Sequence, residues 1–184
     1  FGHPRLAATH TRRRATTAST RRARAKGVGG KRSEDTKGAP WRVGTDCSGI
    51  EAPLYALDHL RIPYTHVFSC DVDPHVRTSI QANHHPQHVY TDVLARDHTQ
   101  LPDIDVYVCG FPCQSFSDIN RNGAQGFYQE NRKGILFFHC YEVICHKRPR
   151  VFVLENVKSL LTHDEGRTFA VIQRYLQTLT PEYA

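Results

Sequence analysis

The chain has no methionine, no C-x-x-C pair, no G-x-G-x-x-G turn and no apolar run near the roughly 20 residues that cross a bilayer as a helix. Each absence narrows the reading. Without the long run, a membrane protein is not expected. Without paired cysteines, the six present (Cys47, Cys70, Cys109, Cys113, Cys140 and Cys145) carry no zinc signature, and no metal is expected. Cys70 and Cys109 fall at or near the ends of apolar runs, and Cys140 and Cys145 lie in a helical pattern, where a free Cys behaves as a small hydrophobe. Such usage suits a reducing, intracellular compartment, with nucleus, cytoplasm and organelle all open. Because methionine is missing even from position 1, a fragment or a processed product is expected.

What is present is unevenly distributed. Residues 1–40 hold eleven Lys or Arg against two acids, Glu34 and Asp35, a net +9, which leaves the other 144 residues at −3. The leader has almost no large apolar groups, so it is expected to be disordered. A basic arm that attracts nucleic acid, an organelle transit peptide and a plain solvated tail all fit it. The texture changes at Trp41, and residues 41–184, part of a chain that is 39% hydrophobic overall, read as one folded domain.

Strands are expected at Arg42–Asp46, Thr65–Cys70, Val89–Val93, Asp105–Cys109 and Val151–Leu154. Helices are expected at Ala52–Leu60, Pro74 to about Asn83, Gly134–Lys147 and Gly166–Leu179. Asp73 suits a helix N-cap followed by Pro74 at the first helical position. Strand and helix alternation with continuous apolar strands implies an α/β fold with a doubly wound, mostly parallel sheet, of Rossmann-like type. Ligands of such sheets gather at the carboxyl ends of the strands.

The first strand ends in Asp46-Cys47-Ser48-Gly49, and Asp71 follows Gly49 by 22 residues. A Gly turn after a first strand, with an acid about 20 residues later, suits an adenosine cofactor whose ribose the acid holds. The turn continues Ile50-Glu51, so a phosphate cradle is incomplete, and Glu51 tolerates a cationic ligand better than a pyrophosphate. S-adenosylmethionine is therefore favoured over NAD, although a simple strand-to-helix turn with a solvated Asp71 explains the same residues. Asp92, closing the third strand, suits an adenine amine or a surface position. Val106 to Ser117 delivers Cys113 from an apolar strand into a polar turn. Glu155, directly after Val151–Leu154, ends a second central-type strand at the same edge, where a partly dry setting would raise its pKa; capping the next helix is the other reading.

The run Gly110-Phe111-Pro112-Cys113-Gln114-Ser115-Phe116-Ser117, followed by Gly134-Ile135-Leu136-Phe137-Phe138 and Glu155-Asn156-Val157, resembles the cytosine-C5 DNA methyltransferases. The resemblance extends from about Val43 to Tyr175. It implies transfer of a methyl group from S-adenosyl-L-methionine to C5 of cytosine in DNA. Cys113 would be the nucleophile that adds to cytosine C6, and Glu155 would hold the exocyclic amine and N3. Cys47, Ser48, Gly49, Ile50 and Glu51 would surround the methionine moiety, with Asp71 on the ribose, Val72 against the adenine, Asp92 on its amine and Leu136 near the ligand. Pro112 would fix the backbone before the thiol. The loop from Gln114 and Ser115 to Lys133, with Asn156 beside it, would close over a cytosine flipped out of double-stranded DNA.

The chain departs from the family pattern at Cys47 and Glu51, where an aromatic residue and a second Gly are usual. It departs again at Asp71, where Glu is usual, and at Arg132-Lys133-Gly134, an altered Arg-Gly step. It ends at Ala184, before the family's Gln-x-Arg-x-Arg motif and target-recognition region, so the 184 residues alone are not expected to methylate DNA. Methylation of cytosine in tRNA and a non-catalytic binding module are the alternatives. Oligomeric state and target sequence are not legible.

Overall fold

In a computed structural model the described residues are 38–112 and 135–179. Five strands form one all-parallel sheet: β1 (Trp41–Asp46), β2 (Tyr64–Cys70), β3 (His88–Tyr90), β4 (Val106–Cys109) and β5 (Val151–Leu154), in the order β3-β2-β1-β4-β5. The helices are α1 (Ala52–His59), α2 (Pro74–Asn83), α3 (Leu136–Lys147) and α4 (Arg167–Gln177), with 3-10 turns at His98–Gln100, Lys158–Leu161 and His163–Gly166. Strand order reverses between β1 and β4. Right-handed crossovers then put α1 and α2 on one face and α3 on the other, which is the doubly wound α/β arrangement expected from the alternation. Tyr55 of α1 meets His84, just after α2, edge to face at 5.0 Å, as helices sharing a face should.

Central strands are buried for the reason their sequences suggest. Val43, Val67, Phe68, Tyr107 and Cys109 lie in the core with Phe137, Cys140, Val143 and Ile144 of α3. Ile172 of α4 joins the same cluster, with Phe169 and Leu176 packed beside it. Gly44 lets β1 pass over Phe68: a Cβ there would lie 2.3 Å from the Phe68 ring. The β1–β2 register shifts at this point, between Val43 and Gly44.

Two expectations need correction. β3 stops at Tyr90, not Val93. Asp92 therefore does not close a strand; its Oδ1 accepts from the Leu94 N–H at 2.8 Å, and this local bond offers the backbone an alternative to the ladder. β5 is not of central type among the described residues: it lies at the sheet edge with Val151 and Val153 exposed.

Candidate active site

The carboxyl ends of β1 and β4 flank the point where strand order reverses, and both candidate motifs are there. After β1 the backbone turns through left-handed residues Cys47 (φ 51°), Gly49 (φ 53°) and Glu51 (φ 59°), ending at the N-cap of α1. Ser48 ties this turn to β2. Its Oγ accepts from the Cys70 N–H at 3.1 Å, and its own N–H donates to the Cys70 carbonyl at 3.2 Å.

Asp71 locks the same turn from the other side, accepting from Gly49 N–H at 3.1 Å through Oδ2 and from Asp73 N–H at 3.0 Å through Oδ1. It is thus not merely a solvated strand end. Arg77 holds the adjoining backbone by donating to the carbonyls of Asp71 and Val72, both at 2.8 Å. Asp73 caps α2 as expected, accepting from His75 N–H at 2.8 Å. At this edge two large apolar side chains face solvent, Ile50 (75% exposed) and Val72 (70%). Apolar surface beside a fixed carboxylate is what the adenosine half of a nucleoside cofactor requires.

Glu51 is placed differently from expectation. Its side chain is fully buried, with Oε1 accepting from Thr45 Oγ1 at 2.8 Å and Ser69 Oγ at 2.5 Å and lying 3.4 Å from His66 Nε2. The carboxylate serves the interior of the β1–β2 layer, so only the Glu51 backbone belongs to the turn's outer surface. Cys47 is half-buried and packs on the core, and Leu136, the first residue of α3, does likewise.

Beyond β4, the Gly110-Phe111-Pro112 turn is held by the residues after β5. The Glu155 N–H donates to the Cys109 carbonyl at 2.9 Å, and Asn156 Nδ2 donates to the Phe111 carbonyl at 2.8 Å. The Glu155 carboxylate lies over Gly110, whose added Cβ would meet Oε2 at 3.3 Å. Glu155 is not the cap of the following 3-10 turn, whose N-cap is Val157. Its side chain is exposed, not in the partly dry setting expected. The Glu155-Asn156 pair and the Gly110–Pro112 turn are therefore adjacent. Cys113, Gln114 and Ser115 lie outside the described residues.

Sequence reasoning missed the pair beneath the site. Asp46 is buried at the end of β1 and takes a bidentate ion pair from Arg96, one arm at 2.7 Å, together with the Tyr107 hydroxyl at 2.6 Å. The Arg96 guanidinium stacks between the rings of Phe68 (5.2 Å) and Tyr90 (5.3 Å). Burial disfavours the Arg96 charge, but Asp46 more than offsets this and holds it protonated. The 50-position separation of the partners leaves no local pattern to detect. Burial pushes the Cys70 thiol up, while hydrogen bonding to Cys140 and Cys47, then burial, raises Cys109. Neither is a nucleophile at neutral pH.

A doubly wound parallel sheet with a locked Gly turn at its switch point defines the Rossmann-like α/β class. The chain belongs to the C-5 cytosine-specific DNA methylase family, whose model matches residues 46–183. It is 39% identical over 115 residues to the type II methyltransferase M.NgoBI of Neisseria gonorrhoeae, covering 62% of this chain and 35% of that protein. It is 40% identical over 111 residues to the type II methyltransferase M.NlaX of Neisseria lactamica, covering 60% and 34%. The chain thus spans about a third of the length of these curated relatives. The crystal structure of the S. pombe Dnmt2 methyltransferase shares the fold, with a TM-score of 0.54 at 21% identity, covering 74% of this chain and 40% of that one.

Proposed function

We propose that residues 41–184 form the cofactor-binding and nucleophile-bearing part of an enzyme that methylates C5 of cytosine in double-stranded DNA, the basic residues 1–40 being a leader outside that domain. The observation that carries this reading is the approach of Glu155 and Asn156 to the Gly110–Pro112 turn, one residue before Cys113. Family membership supplies the reaction class. S-adenosyl-L-methionine, when bound, supplies an electrophilic methyl group. Ser48, Gly49 and Ile50, with the Cys47 and Glu51 backbones, would border its methionine moiety. Asp71 would accept from the ribose hydroxyls, Val72 and Ile50 would flank the adenine, Asp92 would accept from its amine, and Leu136 would close the wall.

C5 of cytosine is a poor nucleophile while the ring is aromatic. The Cys113 thiolate adds to C6, and the electron pair displaced from the C5–C6 bond makes C5 nucleophilic. Glu155 holds N3 and the exocyclic amine and stabilises the charge pushed into the ring. Once C5 carries the methyl group, its C5 proton passes to water, and the freed electron pair re-forms the C5–C6 double bond and expels the Cys113 thiolate. Pro112 restricts the backbone ahead of the thiol, and Gln114 and Ser115 belong to the loop over a base that has left the duplex stack.

Trapping tests the assignment. The full-length protein, given cofactor and duplex DNA containing 5-fluorocytosine, is expected to form a covalent adduct that Cys113→Ser abolishes. An adduct that survives Cys113→Ser overturns the nucleophile, and preferential methylation of tRNA overturns the substrate.

A further inference from the structure

His98 stands in the 3-10 turn His98–Gln100, while His139 and Glu142 are one turn apart on α3. Their ligand-type atoms converge. His98 Nε2 lies 3.1 Å from His139 Nδ1, and Glu142 Oε2 lies 3.5 Å from each of the two nitrogens. The two longer separations exceed the roughly 2.7–3.2 Å of a sound hydrogen bond. They match another geometry. A tetrahedral zinc ion, bound at about 2.0–2.1 Å to nitrogen and about 2.0–2.2 Å to oxygen, sets ligands roughly 3.3–3.5 Å apart.

We propose that His98, His139 and Glu142 form a binding site for a divalent transition metal, best fitted by Zn2+, that staples the connection after β3 to α3. Two imidazoles and one carboxylate are borderline donors suited to zinc and poor for magnesium or calcium. His98 is buried, so its ring is fixed in place against the other two groups. Glu142 is half-exposed, which leaves a fourth position open to water. Lys147 Nζ, donating to the Thr99 carbonyl at 2.8 Å, already joins the same two elements. Two contacts oppose the ion: His98 Nε2 and His139 Nδ1, at the 3.1 Å of a hydrogen bond, must part by about 0.2 Å, and metal on Nε2 places the ring proton on Nδ1, displacing the Arg96 Nε–H contact at 3.5 Å. The Arg96 contact is at the outer limit for a hydrogen bond, and Arg96 keeps both of its bonds to Asp46.

The staple spans the two elements that carry Asp92 and Leu136, yet it stands on the geometry of its own three residues and does not depend on the methyl-transfer reading. The test is metal binding by the chelator-treated protein, using Zn2+ and the spectroscopic probe Co2+. One equivalent of Co2+ is expected to give intense four-coordinate d–d bands without a thiolate charge-transfer band, and Zn2+ to raise the melting temperature. His139→Ala and Glu142→Gln, both at accessible helix positions, are expected to weaken Zn2+ beyond the roughly 10–100-fold that loss of a mere supporting group costs. Absence of the d–d bands in the unaltered protein, a thiolate band, or unchanged affinity in both variants would each overturn the proposal.

Discussion

Asn156 shows how one side chain joins two motifs. Its Nδ2–H bond to the Phe111 carbonyl fixes the peptide immediately before Pro112, and its Oδ1 accepts from Val157 N–H at 2.9 Å, so the amide is held at both ends. Cutting the first bond frees the turn that leads to Cys113 without touching the β1 turn. Asn156→Ala is expected to slow adduct formation on 5-fluorocytosine DNA by on the order of 100-fold, the cost of a misplacement of about 1 Å. Cofactor affinity, read by calorimetry, should stay within about twofold. An equal fall in both would place Asn156 in the cofactor site instead. Glu51 teaches the opposite lesson: a carboxylate beside a Gly turn reads as ligand-facing, yet Thr45, Ser69 and His66 draw it inward from positions that form no motif.

Among the elements, β1 carries the tightest constraint. Gly44 sits under the fully buried Phe68 ring, which in turn packs against Tyr90 and the Arg96 guanidinium. A methyl group there cannot be absorbed by a small ring shift without disturbing the Arg96–Asp46 pair. Gly44→Ala is expected to cost about 3 kcal/mol, the upper end for overpacking. Gly49→Ala meets nothing within 4 Å and bears only the strain of φ +53°, about 1 kcal/mol. Urea midpoints of the two variants check this, and equal losses would show that β1 yields at Gly44. The strands themselves were legible because apolar runs bounded by Gly, Pro and Asp punctuate the chain, and α2 was legible to its cap through Asp73-Pro74. The expected β3 runs past Tyr90 because Val89, Tyr90, Thr91 and Val93 are strand formers, whereas the single turn former among them, Asp92, ends the strand by accepting from Leu94 N–H. The Asp46–Arg96–Tyr107 group and the His98–His139–Glu142 cluster were hidden for a different reason, since their members come from separate elements that only the folded sheet brings together.

At the scale of the whole molecule, charge and fold are separated along the chain. Residues 1–40 carry a net +9 and the rest −3, so attraction to a polyanion falls mainly to the leader, while the site motifs lie beyond it. No helix among the described residues is long and apolar enough to cross a membrane. If the leader contributes to DNA binding through its charge, its effect is independent of sequence and strongly dependent on salt, because each neutralised phosphate releases counterions. Deleting residues 1–40 is expected to leave the melting temperature of residues 41–184 unchanged. The slope of log K against log salt for a non-specific duplex should fall by several and by at most about 10, the leader's eleven Lys and Arg at about 0.9 each. The measurement is fluorescence anisotropy across a salt series, with both proteins on one labelled duplex. An unchanged slope would remove the leader from the DNA interface, and would leave phosphate contact to Lys and Arg side chains within the methylase domain itself.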